Sequence, residues 1–171
     1  HLGHVAVADE ARKRFGADRL VVLVSERPAH RDVHAAVEDR LALARAAFPH
    51  DDVRLDPYPR TIELLHTERF DDPVFVVGAD QFRNFLDWSE PNEVLELARI
   101  AVATRPGHPR EELESVLAQL DEPTRVLFFE IEPNPAASRD VRARIAAGER
   151  LDGLVPPAVA RLIAERGLYR S

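Results

Sequence analysis

Leu20-Val21-Val22-Leu23-Val24, followed by Ser25-Glu26-Arg27-Pro28 and a polar run to His34, is the stretch that decides the fold. Five consecutive apolar residues, three of them valine, have the length of a strand. The lack of alternation means that both faces are covered, as in a parallel strand inside an α/β sheet. Glu26, Arg27, Pro28, His30 and Arg31 then form a polar loop at the carboxyl end of that strand. In open α/β sheets this edge is where ligands sit.

The flanking sequence continues the alternation. Upstream, Val5, Ala8, Ala11 and Phe15 recur at helical spacing, and Gly16 is placed to end the helix. Downstream, Val37, Leu41, Ala44 and Phe48 make a second helix face stopped by Pro49, and a weak strand is expected around Val53 to Leu55. Thr61 is positioned to cap a helix running to about Phe70, and Val74-Phe75-Val76-Val77 is the next strand. A helix from about Asn92 to Ala98 leads into the strand Ile100 to Ala103. Helix Glu111 to Leu120 and strand Val126 to Ile131 follow, then a helix beginning near Ser138 and another from about Ala158 to Glu165 closed by Gly167. Alternating strand and helix predict a Rossmann-like open parallel sheet with helices on both faces. With 171 residues and no linker or internal repeat, residues 1–171 are expected to form one domain. Its C-terminal helical portion is residues 137–171.

The net charge of −7 argues against a general nucleic-acid or membrane-surface binder, so an anionic ligand must be met by local clustering. Cysteine is absent, which excludes disulfides, thiolate metal sites and a cysteine nucleophile. No apolar run approaches the roughly 20 residues that span a bilayer, and no signal peptide is visible, so a cytoplasmic location is expected. Methionine is also absent, and further residues are expected upstream of His1.

Three places carry chemistry. His1-Leu2-Gly3-His4 sets two imidazoles and a glycine where a helix begins, with helix-start N–H groups available to an anion. Ser138, with Arg142 four residues later, sets a hydroxyl and a guanidinium at a second helix start. Gly78-Ala79-Asp80 closes a strand with a glycine and an acid, which suits contact with a ribose and equally suits an ordinary turn and helix cap. Trp88 is open in the same way: it can stack on a ligand ring, or complete a core face with Phe82 and Phe85. Arg105 can bind a ligand or simply close a strand.

In order along the chain, His1-Leu2-Gly3-His4, Pro28-Ala29-His30-Arg31, Val77-Gly78-Ala79-Asp80, Trp88, Thr104-Arg105-Pro106-Gly107, Ser138-Arg139-Asp140-Val141-Arg142, the Leu154 to Val159 run and Gly167-Leu168-Tyr169 resemble the nucleotidylyltransferase superfamily. That superfamily has an H-x-G-H motif near its start and an I-S-S-T-x-I-R motif near its end. Among its members the chain looks most like the nicotinate-nucleotide adenylyltransferases. Ala137 stands where the end motif has its first serine and Arg139 where it has threonine. Arg31 stands at a usual lysine, and Pro59-Arg60-Thr61-Ile62-Glu63 replaces a tyrosine-containing stretch. The family's first strand and its G-G-T-F-D-P-x-H approach would precede His1.

The resemblance implies adenylyl transfer from ATP to nicotinate mononucleotide, giving deamido-NAD and pyrophosphate. It implies that His1, His4 and Arg142 are catalytic, that Gly3, Ser138 and Arg139 help bind the ATP phosphates, and that Gly78 and Asp80 meet the ATP ribose. His30, Arg31, Thr61, Trp88 and Arg105 would face the second nucleotide. Mg2+ would arrive with ATP and need no protein cage. Nucleic acid and membrane are not expected as partners, and a homo-oligomer is left open. A sister enzyme acting on another phosphorylated acceptor, such as phosphopantetheine, is one alternative. A non-catalytic nucleotide-binding relative is the other.

Overall fold

The computed structural model describes residues 1–28, 34–107, 109, 111–132 and 136–169. In chain order the elements are α1 (Leu2–Phe15), β1 (Val21–Ser25), α2 (Val37–Ala47), β2 (Asp52–Asp56), α3 (Thr61–Thr67) and β3 (Val74–Gly78). They continue with α4 (Ala79–Phe82), α5 (Pro91–Leu97), β4 (Arg99–Thr104), α6 (Glu111–Leu117), β5 (Val126–Glu130), α7 (Ser138–Ala146) and α8 (Pro157–Arg166). Short 3-10 turns lie at Phe85–Asp87 and Pro123–Arg125. Every described ladder is parallel, in keeping with the strand–helix alternation.

The chain divides into two compact units. The first takes in His1–Arg12, Gly16–Pro57 and the described residues of Asn134–Ser171. Its sheet has two strands, β1 and β2, in a register that runs from Val21 opposite Asp52 to Ser25 opposite Asp56. All five residues of β1 are half-buried, where the apolar run predicts full burial. A strand in a two-stranded ladder has only one paired edge. The core of this unit lies among the helices: Val141 of α7 and Val159 and Ile163 of α8 join Leu154, Val155 and Ala136, with Leu2 of α1 and Leu43 of α2 packed on them.

The second unit is Lys13–Phe15 with Tyr58–Pro133, and its sheet has the order β3-β4-β5. Central β4 carries Ile100, Ala101 and Val102 with no solvent exposure at all. Phe82 and Phe85 are equally inaccessible. Burial of such a side chain contributes about 1.5–3 kcal/mol, so this ring pair is a principal anchor of the unit.

Several boundaries differ from the sequence reading, each for a local reason. α1 begins at Leu2, three residues before the expected apolar face, because Leu2 itself packs on the core and its N–H donates to the Leu154 carbonyl at 2.9 Å. It ends as expected on Gly16, which is left-handed at φ 60°. Thr61 is the first residue of α3 and not its cap; Arg60 holds the cap position, and the helix stops at Thr67. The four-residue α4 starts from Gly78 as its N-cap, in keeping with the turn-and-cap reading of Gly78-Ala79-Asp80, and the sequence reading gave it no bounds. Among the described residues no helix is long and apolar enough to cross a membrane.

Candidate active site

In the first unit, the start of α1 abuts the segment that leads into α7. A Cβ added at Gly3 would sit 3.0 Å from the Ala136 carbonyl oxygen and 2.9 Å from His1 Nδ1. Glycine leaves room for that approach without a shift of His1 or of the Ala136 backbone. The sequence reading gave Gly3 to ligand contact; the structure adds a packing reason for it, between two motifs that are distant in sequence. His1 is the N-cap of α1, and its ring stacks on that of His4 with centroids 3.9 Å apart. The His1 Nδ1 is buried and, among the described residues, has no hydrogen-bond partner. Of the first-turn amides, Leu2 donates to Leu154 and His4 donates to the His1 carbonyl at 3.0 Å, so fewer are open to an anion than the sequence suggests.

α7 starts from Ala137, which holds the N-cap position with no side-chain cap. Ser138 is therefore the first helical residue and exposed, not the cap its sequence position suggested. Its hydroxyl is not engaged in capping the helix. Arg139 is 87% exposed, with Nε 3.6 Å from Asp140. Arg142 is half-buried and, among the described residues, makes no ion pair with a carboxylate. A partly desolvated guanidinium without a counter-ion favours an anionic ligand.

The second unit places its own predicted residues at the carboxyl edge of its sheet. The register sets Gly78, the last residue of β3, opposite Ala103, two residues before Arg105. Gly78 has φ −81° and caps α4, its N–H reaching Gln81 Oε1 at 3.3 Å. An added Cβ there would meet nothing within 4 Å. Neither backbone conformation nor packing among the described residues requires glycine at this position. Asp80 follows in the first turn of α4 with its side chain 93% exposed. Arg105 is exposed just past β4, whereas Thr104 beside it is buried and donates its hydroxyl to the Phe129 carbonyl at 3.2 Å.

Trp88 is half-buried, edge-on to Phe75 at 6.1 Å and tilted against Phe85 at 5.1 Å. Its inner face is core, and Phe82, Phe85 and Trp88 come from α4, a 3-10 turn and the extended residue after it, not from one helix face. Thr61 is half-buried at the start of α3. His30 and Arg31 lie outside the described residues.

Two residues that were not among the expected site residues also lie in the first unit, one of them in the Gly167-Leu168-Tyr169 stretch quoted above. Arg40 of α2 reaches the end of β1, and Tyr169 lies in the turn after α8 with φ 61°. Burial pushes the Tyr169 phenol above its ordinary range, with the Arg142 charge opposing that rise. Gly167-Leu168-Tyr169 was the available signal for the second. A groove of about 530 Å3 beside Ile145, Leu151, Ala160 and Ile163 contains none of the predicted site residues.

The profile of the cytidylyltransferase-like family matches residues 1–144, and the chain belongs to that family. A probable nicotinate-nucleotide adenylyltransferase of Rubrobacter xylanophilus is 32% identical over 187 residues, spanning 100% of this chain and 87% of that protein. Another, from Symbiobacterium thermophilum, is 35% identical over 185 residues, spanning 99% and 89%. Among solved structures, Plasmodium falciparum nicotinic acid mononucleotide adenylyltransferase complexed with NaAD superposes with a TM-score of 0.71 at 14% identity, covering 97% of this chain and 89% of that one. That likeness establishes the α/β nucleotidylyltransferase fold.

Proposed function

We propose that the protein transfers the adenylyl group of ATP to nicotinate mononucleotide, releasing pyrophosphate and forming deamido-NAD. The observation that carries this reading is the abutment of Gly3 on Ala136. It brings the paired imidazoles of His1 and His4 to the segment from which α7, with Arg142, begins. The relatives named above support the choice of acceptor.

A phosphate oxygen of the acceptor attacks the α-phosphorus of ATP, a new P–O bond forms, and the bond to the bridging oxygen breaks, so that pyrophosphate leaves with the electron pair. The nucleophile is already anionic, so the chain need not supply a strong base. Its work is alignment and stabilisation of the charge that gathers on the leaving group. His4 is assigned to the transferring phosphate, and His1, Ser138, Arg139 and Arg142 to the remaining triphosphate oxygens. Gly78 and Asp80 are assigned to the ribose, and Trp88, Arg105, Thr61, His30 and Arg31 to the acceptor. The donors at the two helix starts are imidazole, guanidinium, hydroxyl and backbone N–H, which fit phosphate oxygens. Magnesium would come as an ion carried by ATP and water, and when bound would supply charge neutralisation. A cytoplasmic setting is part of this reading.

Pyrophosphate release measured with ATP and a panel of acceptors tests the proposal. Turnover highest with nicotinate mononucleotide is the expected result. Preference for phosphopantetheine selects a sister activity, and ATP binding without turnover on any acceptor selects a non-catalytic relative, for which the Ala137 and Arg139 replacements are the sequence argument.

A further inference from the structure

From Ile100 to Ala103, central strand β4 of the second unit carries only apolar side chains, all of them buried. Its last residue is Thr104, and among the described residues no other polar or charged residue is buried. Valine has the same branched outline and would complete the run with no hydroxyl to satisfy. Here the hydroxyl is satisfied across the sheet, on the Phe129 carbonyl of β5 at 3.2 Å.

Stability alone gives a weak account of this bond. A neutral hydrogen bond returns little beyond the cost of taking the hydroxyl out of water. Strand pairing does not depend on it either. The register already sets Thr104 opposite Glu130, and the Ile131 N–H donates to the Thr104 carbonyl at 2.9 Å, one residue past the end of β5.

What the two bonds fix together is the exit from the strand. The Thr104 carbonyl belongs to the planar peptide group that joins Thr104 to Arg105, so holding that oxygen also holds the Arg105 nitrogen and Cα. Threonine is stiff at χ1, and anchoring its hydroxyl restrains the backbone on the other side of the same peptide. Arg105 is followed by Pro106, which keeps the backbone of the preceding residue extended. An exposed arginine, normally among the most mobile side chains, thus starts from a backbone defined on both sides. A guanidinium with a fixed origin loses less freedom when it closes on a phosphate or carboxylate. It leaves the sheet at the carboxyl edge, beyond the rung where Ala103 faces Gly78.

We propose that Thr104 is a positioning residue for the acceptor nucleotide: its hydroxyl, held on the Phe129 carbonyl, sets the point from which Arg105 reaches the ligand. The inference rests on the proposed reaction, in which Arg105 is assigned to nicotinate mononucleotide.

Thr104→Val, Thr104→Ser, Arg105→Ala and the double variant Thr104→Val with Arg105→Ala provide the test. For each, KM is measured for both substrates, nicotinate mononucleotide is titrated calorimetrically, and Tm is recorded. Thr104→Val is expected to raise KM and Kd for nicotinate mononucleotide by about tenfold, the scale of a misplaced contact, with KM for ATP within about threefold. Thr104→Ser keeps the donor and should bring both values back to within about threefold of wild type. Because Thr104 acts through Arg105, adding Thr104→Val to Arg105→Ala should change them by less than about twofold. Should Thr104→Val fail to fold, Thr104→Ala replaces it with the same expected split. The proposal is overturned if the two KM values move together, if a lower Tm is the only change, if serine does not rescue, or if the tenfold loss persists without Arg105. Wild-type protein that neither binds nor converts nicotinate mononucleotide removes the proposed function and this inference with it. An active enzyme in which Arg105→Ala or Thr104→Val leaves nicotinate mononucleotide binding unchanged removes this inference alone.

Discussion

Replacing Gly3 by alanine separates two roles that a glycine in such a motif can have. The new Cβ would lie 2.9 Å from His1 Nδ1 and 3.0 Å from the Ala136 carbonyl oxygen, where ordinary contact begins at 3.4 Å. His1 can yield only by sliding on the His4 ring stacked 3.9 Å away, and Ala136 only by moving the backbone that enters α7. Helix propensity favours alanine by up to about 1 kcal/mol, and overpacking costs about 1–3 kcal/mol. The net loss is therefore about 0–2 kcal/mol, a fall in Tm of up to about 8 °C for a domain of this size. The kinetic effect should be larger, because a shift of about half an ångström between imidazoles and guanidinium spoils alignment, and kcat should drop by up to about 10²-fold. Gly78→Ala makes the contrast. With φ −81° and nothing within 4 Å of the added carbon, it should leave Tm unchanged or raise stability by about 0.4–1 kcal/mol. Its effect should fall on ATP, as a KM raised about tenfold at little change in kcat. Steady-state pyrophosphate release and thermal melts on both variants suffice. A Gly3→Ala enzyme with wild-type kcat and a higher Tm would refute the packing argument.

The other predictions concern charge. His4→Ala and Arg142→Ala should each lower kcat by about 10²–10³, the scale of one preorganised donor. Arg142→Ala should do so without loss of Tm, since among the described residues no carboxylate loses an ion-pair partner. The Asp52 carboxyl is held down to about 2 by hydrogen bonds from Arg54, at 2.7 Å, and from Arg19. The folded state thus favours the ionised form, and the resulting stability is present above the ordinary value of 3.8 and lost as pH falls toward about 2. Asp52→Asn should flatten the acid limb of a Tm-against-pH curve. Tyr169 gives the opposite sign: burial raises the phenol above its ordinary 10.0, so its contribution is complete below pH 10 and lost as pH rises through the folded value. Tyr169→Phe should weaken the alkaline fall in Tm and leave the acid limb unchanged.

The elements that the sequence revealed are those written in local chemistry. Leu20 to Val24 announced β1 by composition, and Gly16 and Gly167 announced helix ends that are left-handed at φ 60° and 62°. Hydroxyl residues misled, because a serine or threonine near a helix start marks the region and not the position: Ala137 and Arg60 hold the caps, while Ser138 and Thr61 are already helical. The division of the parallel strands into a two-stranded and a three-stranded sheet could not be read, since pairing depends on contacts remote in sequence. The same holds for the site. The two histidines and Ser138 to Arg142 stood out as chemistry, but Gly3 as a packing glycine needed its partner Ala136, more than a hundred positions away. Thr104 was hidden for a similar reason: in sequence it reads as the residue after a strand, and only the fold puts its hydroxyl on the Phe129 carbonyl of β5.

The most direct test of the account is a crystal structure of the protein with a non-hydrolysable ATP analogue. His4 and Arg142 are predicted to lie within hydrogen-bond distance of oxygens on the same triphosphate. An analogue bound with only one of the two in reach, or seated away from both, would contradict the claim that the first helix start and the α7 motif serve one nucleotide.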